Sequence, residues 1–327
     1  MKRTRAVTAA VFVIALLGVG LPAEAQKRNL LMGSTQAASS HYAYFVGAAK
    51  AINLAVPELN VTVVETGATV DNIKRMQKGQ IDMGLMTADQ VYLAWKGEET
   101  WKDAPFDGIR QLLCYSISAN YVVVREETGI KTVHELTGKK FTPGIRGSSV
   151  EKATEMTFAV LGIKPDWQRM GTPDTVDAMK DKRIVGFAKS GSGFLHDAST
   201  MDIATVTPIR TLPFSEADMT KVRAARPYLP WIKVPAGSLK GMGEFWTTAS
   251  LVFIGASKAM PADVAYKVVK AIWEGQEHQP QSVMGAAYKN PRLTIETSLS
   301  PLHAGAIRYY REQGFKVPDE MIPPEAK

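Results

Sequence analysis

A single cysteine, Cys114, stands in the 327 residues. No internal disulfide can form, so stability has to come from core burial, which a chain of this length can supply. Cys114 lies in the apolar run QLLCYSI and reads as a small buried hydrophobe. The five histidines (His41, His134, His196, His278 and His303) show no H-E-x-x-H or other metal-ligand spacing. There is no G-x-x-x-x-G-K-[ST] loop, so nucleotide hydrolysis is not indicated. SGSGF, residues 190–194, fails as a nucleophile elbow, because Ser190 stands where G-x-S-x-G needs glycine. After the first residues no apolar run approaches the ~20 needed to span a bilayer. The formal charge is +7, but the bases are scattered and form no nucleic-acid footprint.

The N-terminus has three parts. Lys2, Arg3 and Arg5 precede an apolar stretch, Ala6 to Pro22, and Ala23-Glu24-Ala25 supplies an A-x-A cleavage site. Residues 1–25 are therefore expected to be a cleaved secretory signal, with Gln26 opening a mature chain of net charge +5. A mature chain of this size suits about two domains, at roughly 150 residues each.

Strand-like and helix-like segments alternate. NLLMG, NVTVVET and IDMGLMT predict strands. Between them Phe45, Ala48, Ala49 and Ile52, and then Val70 and Ile73, fall at helical spacing, with Thr69 as a candidate N-cap and Gly79 as a candidate C′. LLCYSISANYVVVRE reads as two strands broken at SAN. A second series follows, with helices at TVHELTG, SVEKATEMTFAVLG and TPDTVDAMKDKR and strands at KKFTPGI, WQRMG and IVGFAKS. DIATVTPI suggests another strand, SEADMTKVRAA a helix, and YLPWIKVPAGSLKGMG irregular chain. After Ser250, LVFIGAS predicts a strand and PADVAYKVVKAIWEG a strong helix. The last 70 or so residues are too few for a third α/β domain and should return to the first. The expected division is 26–118 for the first lobe, 119–250 for the second, and 251–327 returning to the first.

In open parallel sheets ligands bind beyond the carboxyl ends of strands. Five turns qualify. The first holds Ser34, Ser40, His41 and Tyr42 at a helix start, in a loop longer than an ordinary βα turn; it could equally be a capping loop. Thr66, Gly67 and Thr69, in ETGATVDN, could face a ligand or equally form a turn and an N-cap. Thr87 and Gln90 have capping-box spacing, a role that needs no ligand. Arg146, Gly147, Ser148 and Ser149 pair a cation with a helix start, which suits a carboxylate, although Ser148 and Glu151 also fit a capping box. Ser190 and Gly191 end a predicted strand, and there the glycine permits close approach or a tight turn.

The whole mature chain resembles the TAXI family of solute receptors of TRAP (tripartite ATP-independent periplasmic) transporters. Four segments carry the resemblance: LLMGSTQAASSHYAYFVGAAKAI, VTVVETGATVDNIKRMQKGQIDMGLMTADQ, GIKTVHELTGKKFTPGIRGSSVE and SPLHAGAIRYYREQGFKVP. The resemblance implies an α/β, two-lobed periplasmic-binding-protein fold of type II character, with the chain crossing twice between lobes and a ligand cleft between them. It implies a small carboxylate solute such as an amino acid, dicarboxylate or oxo acid, delivered to membrane permease subunits. It carries over to Ser34, Ser40, His41, Tyr42, Thr87, Gln90, Gly147, Ser148, Ser149, Ser190 and Gly191. Two departures stand out: Gln36 to Ser40 replace most of the first loop's usual glycines, and Arg146 replaces a small residue or proline. His303 is expected to pack its helix onto the first lobe. The resulting expectation is a periplasmic, monomeric receptor for a small organic anion, with no cofactor, no metal and no nucleic-acid partner. Two rivals are a secreted enzyme with His41 as base and Ser148 or Ser190 as nucleophile, and a ligand sensor for a signalling protein. For the receptor, Arg146→Ala is expected to weaken anion binding about tenfold.

Overall fold

The computed structural model describes residues 27–287 and 289–327; the expected signal segment lies outside them. The first lobe opens with β1 (Arg28–Gly33), α1 (Ser40–Ala55), β2 (Leu59–Val64), α2 (Thr69–Gln77), β3 (Met83–Thr87) and α3 (Ala88–Lys96). β1 pairs in parallel with both β2 and β3. This is the βαβαβ pattern that apolar strands alternating with helical periodicity predict. All five residues of β3 are buried, as a strand covered on both faces requires.

β4 (Ile109–Arg125) then runs unbroken for 17 residues. At about 3.3 Å per residue it spans roughly 55 Å, and it pairs with β-strands on both sides of the crossing between lobes. The expected break at SAN is absent. Ser118 and Asn120 are polar yet buried, and Asn120 stays in the ladder because Ser250 Oγ donates to its Oδ1 at 2.9 Å.

The second lobe comprises β5 (Lys140–Thr142), α4 (Ser149–Leu161), β6 (Asp166–Trp167), α5 (Thr172–Lys180), β7 (Gly186–Ser190), α6 (Ala198–Ala204), β8 (Ile209–Leu212), α7 (Glu216–Ala225) and β9 (Trp231–Val234). Several expectations need correction. TVHELTG forms only a 3₁₀ turn, Val133–Leu136, and WQRMG only the two-residue β6. The start of DIATVTPI is helical, because Asp197 caps α6 by accepting from Thr200 N at 3.0 Å; the strand begins at Ile209. The segment read as irregular contains β9.

β10 (Phe245–Ser257) returns antiparallel to β4 along most of its length and reaches β3. α8 (Ala262–Glu274), α9 (Gln281–Met284), α10 (Arg292–Thr297) and α11 (Ala304–Glu312) follow. Ten strands join in one sheet, ordered β2-β1-β3-β10-β4-β7-β5-β6, with β8 on β4 and β9 on β10. Apolar clusters fill both lobes, and the largest of each lies on its own side of the β4–β10 crossing. One gathers Met32, Phe45, Ile52 and Met83 with Val268, Ile272, Ile307 and Tyr310 of α8 and α11. The other gathers Val122, Phe141, Phe158 and Leu212. His303 caps α11, its Nδ1 accepting from Gly305 N at 3.2 Å, while its backbone N–H donates to the Gln111 carbonyl of β4 at 2.9 Å.

Candidate functional site

The cleft is built from strand ends and helix starts of both lobes. On the first lobe, Ser39 caps α1 by accepting from His41 N, which sets His41 in the first helical turn. The His41 ring is buried against β4. Its Nδ1 lies 3.0 Å from Tyr115 OH, and Tyr115 stacks on Tyr44 at 4.0 Å between ring centres. Burial is the main cause that brings the His41 pKa down to about 4; Asp197 opposes this, Lys189 adds to it, and the Gly191 carbonyl opposes it. The imidazole is neutral at neutral pH.

Thr87 ends β3 at the N-cap position of α3, but its side chain makes no cap bond. Gln90 Nε2 donates instead to Asp89 Oδ2 at 3.1 Å, so the expected capping box does not form. Thr87 Oγ1 is buried with no well-formed hydrogen bond among the described residues; its nearest polar neighbour is the Asp89 carboxylate, whose pKa burial raises and Thr87 lowers. Thr69 is likewise not an N-cap. It is the first residue of α2, behind Ala68 at φ 74, ψ −150, a region almost reserved for glycine. Thr69 Oγ1 is buried too, and unpartnered among the described residues.

On the second lobe, Ser148 caps α4, accepting from Glu151 N at 3.1 Å. Glu151 answers at Gly147 N, 2.8 Å, so half the box forms with a shifted partner. At the end of β7, Lys189 is 6% exposed; its Nζ donates to Thr172 Oγ1 at 3.2 Å and lies 3.6 Å from Asp197 Oδ2. Ser190 Oγ is buried without a partner among the described residues.

These groups surround one cavity in which the centre of a water-sized sphere ranges over ≈ 40 Å³. Of the sequence-derived candidates, His41, Thr87, Ser148, Ser149 and Ser190 line it. Apart from Thr69, the others lie outside the lining. Ser34 is buried, and its carbonyl accepts from Thr66 Oγ1 at 2.8 Å, which binds both residues into the turn. Ser40 Oγ accepts from Ala198 N at 2.9 Å. Tyr42 is half-buried on α1, and Gln90 is turned to Asp89. Arg146 is exposed and donates to the Arg169 carbonyl at 2.8 Å. Gly191 N holds Ala119 O at 2.7 Å, and a Cβ there would meet Leu195 O at 2.4 Å. Thr69, which the sequence left open between ligand contact and N-cap, also lines the cavity, and the residue that sequence reasoning passed over is chiefly Lys189. Lys189 sits one position before Ser190 at a strand end, a position from which a cleft cation could have been inferred.

The lobes touch around the cavity through helix N-termini. The Gly147 carbonyl accepts from Val70 N (2.9 Å) and Asp71 N (3.1 Å) at the start of α2. Gly147 itself has φ +83, which favours glycine. Gln36 Oε1 accepts from Thr172 N at the start of α5, and Ser40 Oγ takes the first N–H of α6. Farther out, Arg226 pairs with Glu99 at 3.4 Å.

Among the described residues no group of three or more His, Cys, Asp or Glu could hold a metal ion, and no helix is long and apolar enough to cross a membrane. His41 has Tyr115 rather than a carboxylate on its Nδ1, and Ser148 Oγ is committed to its helix cap.

Two α/β lobes, two strand crossings and a cavity between them define the periplasmic-binding-protein fold. The chain belongs to the NMT1-like family, matching its family profile over residues 32–314. Among solved structures it is similar to a protein of Bordetella bronchiseptica RB50, at 14% identity over 92% of this chain and 94% of that one, TM-score 0.51. It is also similar to the alkanesulfonate-binding protein SsuA from Xanthomonas axonopodis pv. citri bound to MOPS, at 14% identity over 92% and 98% of the two chains, TM-score 0.49. A third match is DctP7, a Bordetella pertussis extracytoplasmic solute receptor binding pyroglutamic acid, at 14% identity over 88% and 93%, TM-score 0.45.

Proposed function

We propose that the protein is the periplasmic solute receptor of a TRAP-type, ion-gradient-driven transporter of the TAXI kind, and that it captures a small organic anion for a membrane permease. The observation that carries this reading is the set of buried hydroxyls without a well-formed partner, those of Thr69, Thr87 and Ser190, one cavity drawing them from both lobes. A buried hydroxyl without a partner costs roughly 1–3 kcal/mol. Three around one cavity are best accounted for by a solute that bonds them. Lys189 adds positive charge, in keeping with an anion. The site then consists of His41, Thr87, Ser148, Ser149 and Ser190, joined by Thr69 and Lys189. Residues 26–118 and 251–327 are assigned to one lobe and 119–250 to the other, which suits the β4–β10 crossing. The receptor acts as a monomer, exported by residues 1–25.

A calorimetric and thermal-shift screen of purified protein against amino acids, 2-oxo acids, dicarboxylates and aromatic acids tests this. At least one should stabilise the protein and be recovered unchanged. Conversion of a stabilising solute would replace the receptor by an enzyme. A panel with no stabilising solute would remove the reading.

A further inference from the structure

Among the described residues the cavity lining contains one charged side chain, Lys189, and no Asp, Glu or Arg. The ammonium has three donors. One goes to Thr172 Oγ1, and the Asp197 carboxylate lies at a loose 3.6 Å. Asp197 is 1% exposed and stands outside the lining: Oδ1 accepts from Thr200 N and Thr200 Oγ1 at 3.0 Å, the single Ser199 O–H is shared between Oδ1 at 2.9 Å and Oδ2 at 3.2 Å, and Oδ2 faces Lys189. It offsets part of the lysine charge and, being buried outside the lining, does not face a cationic solute group. The other buried acids nearby are also engaged, Asp89 with Gln90 and Glu151 with Gly147 N and Arg169. His41 is neutral and adds no second cation. The remaining polar lining consists of hydroxyls, which both donate and accept.

We propose that Lys189, partly neutralised by Asp197, is the single counter-charge of the site and restricts its solute to a short monocarboxylate bearing hydroxyl or oxo groups. A second carboxylate would enter the cavity without a cation, and an ammonium group without a carboxylate; an uncompensated buried charge is strongly disfavoured. The small cavity sets the short length. This inference rests on the receptor reading above and narrows it.

The test is titration calorimetry of the purified protein with pyruvate, lactate and their longer homologues, against alanine, glutamate and succinate. The variants are the charge-balanced double Lys189→Met/Asp197→Asn and the single Asp197→Asn. Asparagine caps a helix about as well as aspartate, so α6 keeps its cap. A hydroxy or oxo monocarboxylate should bind at least about tenfold tighter than the amino acids and dicarboxylate, and the double variant should lose about tenfold or more. Asp197→Asn alone should move the preference toward succinate. Tightest binding by an amino acid or dicarboxylate overturns the inference and leaves the receptor reading standing, as does undiminished binding by a folded double variant. If that variant does not fold, the wild-type rank order decides. A panel without any binder overturns both.

Discussion

Thr87 stands at a helix start with its hydroxyl buried and without a well-formed partner, and this position separates affinity from stability. Replacing it with isosteric valine removes a polar group that the protein alone satisfies only weakly, through the Asp89 carboxylate. Thr87→Val is therefore expected to hold or raise the thermal midpoint while weakening solute binding by roughly three- to tenfold, one neutral hydrogen bond. Arg146→Ala, by contrast, should now leave affinity within about threefold, because the guanidinium bonds the Arg169 carbonyl outside the cavity. The two titrations can be run with the same solute, and a large loss in Arg146→Ala alone would reverse the site assignment. His41 makes a different prediction. Its folded pKa of about 4 lies below its ordinary 6.5, so between those values the unfolded chain binds more protons than the folded one. Its neutral burial contributes stability that is present above pH 6.5 and lost as pH falls toward 4, up to about 3 kcal/mol. Urea titrations should show this slope, flattened in His41→Gln.

The elements bracketing the cleft meet by lending each other helix caps. α2 takes the Gly147 carbonyl, α5 the Gln36 amide oxygen and α6 the Ser40 hydroxyl, each supplied by the opposite lobe. Gly67 sits at this seam, and a Cβ there would meet the Arg146 carbonyl at 2.7 Å. Gly67→Ala should hold the lobes apart, raising the radius of gyration measured by small-angle scattering without lowering helix content. An unchanged radius would mean that the seam yields. Much of this architecture was legible in the sequence. NVTVVET and IDMGLMT are apolar and β-branched, and α1 and α8 are periodic over several turns, so local pattern and final packing agree. β4 was misread because its polar residues find partners that the local sequence does not show: Ser116 bonds Ser118 and the Val283 carbonyl, and Asn120 bonds Ser250 of β10, more than a hundred residues away. The capping boxes were misread for a related reason. Spacing shows that Thr87 and Gln90 could cap, but not that Gln90 is turned to Asp89. Lys189 was passed over because a lysine in a strand pattern normally faces solvent, and only the tertiary arrangement places Asp197 and Thr172 around it. The exchange of caps between lobes leaves no trace in either partner's own segment.

At the scale of the molecule, separate apolar clusters in lobes joined by two crossing strands allow the lobes to move as bodies about β4 and β10 while each keeps its own packing. The twofold crossing was expected from the way the last predicted helices had to rejoin the first series, and α8 and α11 do cover β1 and β3. The exchanged helix caps have a kinetic consequence. A solute enclosed by the lobes leaves only after those caps have been exchanged for water, whichever solute it is. Residence time is then a property of the protein more than of its cargo. Solutes differing about tenfold in Kd should dissociate with nearly equal rate constants and differ in how fast they are captured, the reverse of the usual pattern. Stopped-flow tryptophan fluorescence, with six tryptophans as reporters, can read this. Rate constants that instead track Kd would place the barrier at the solute's own contacts.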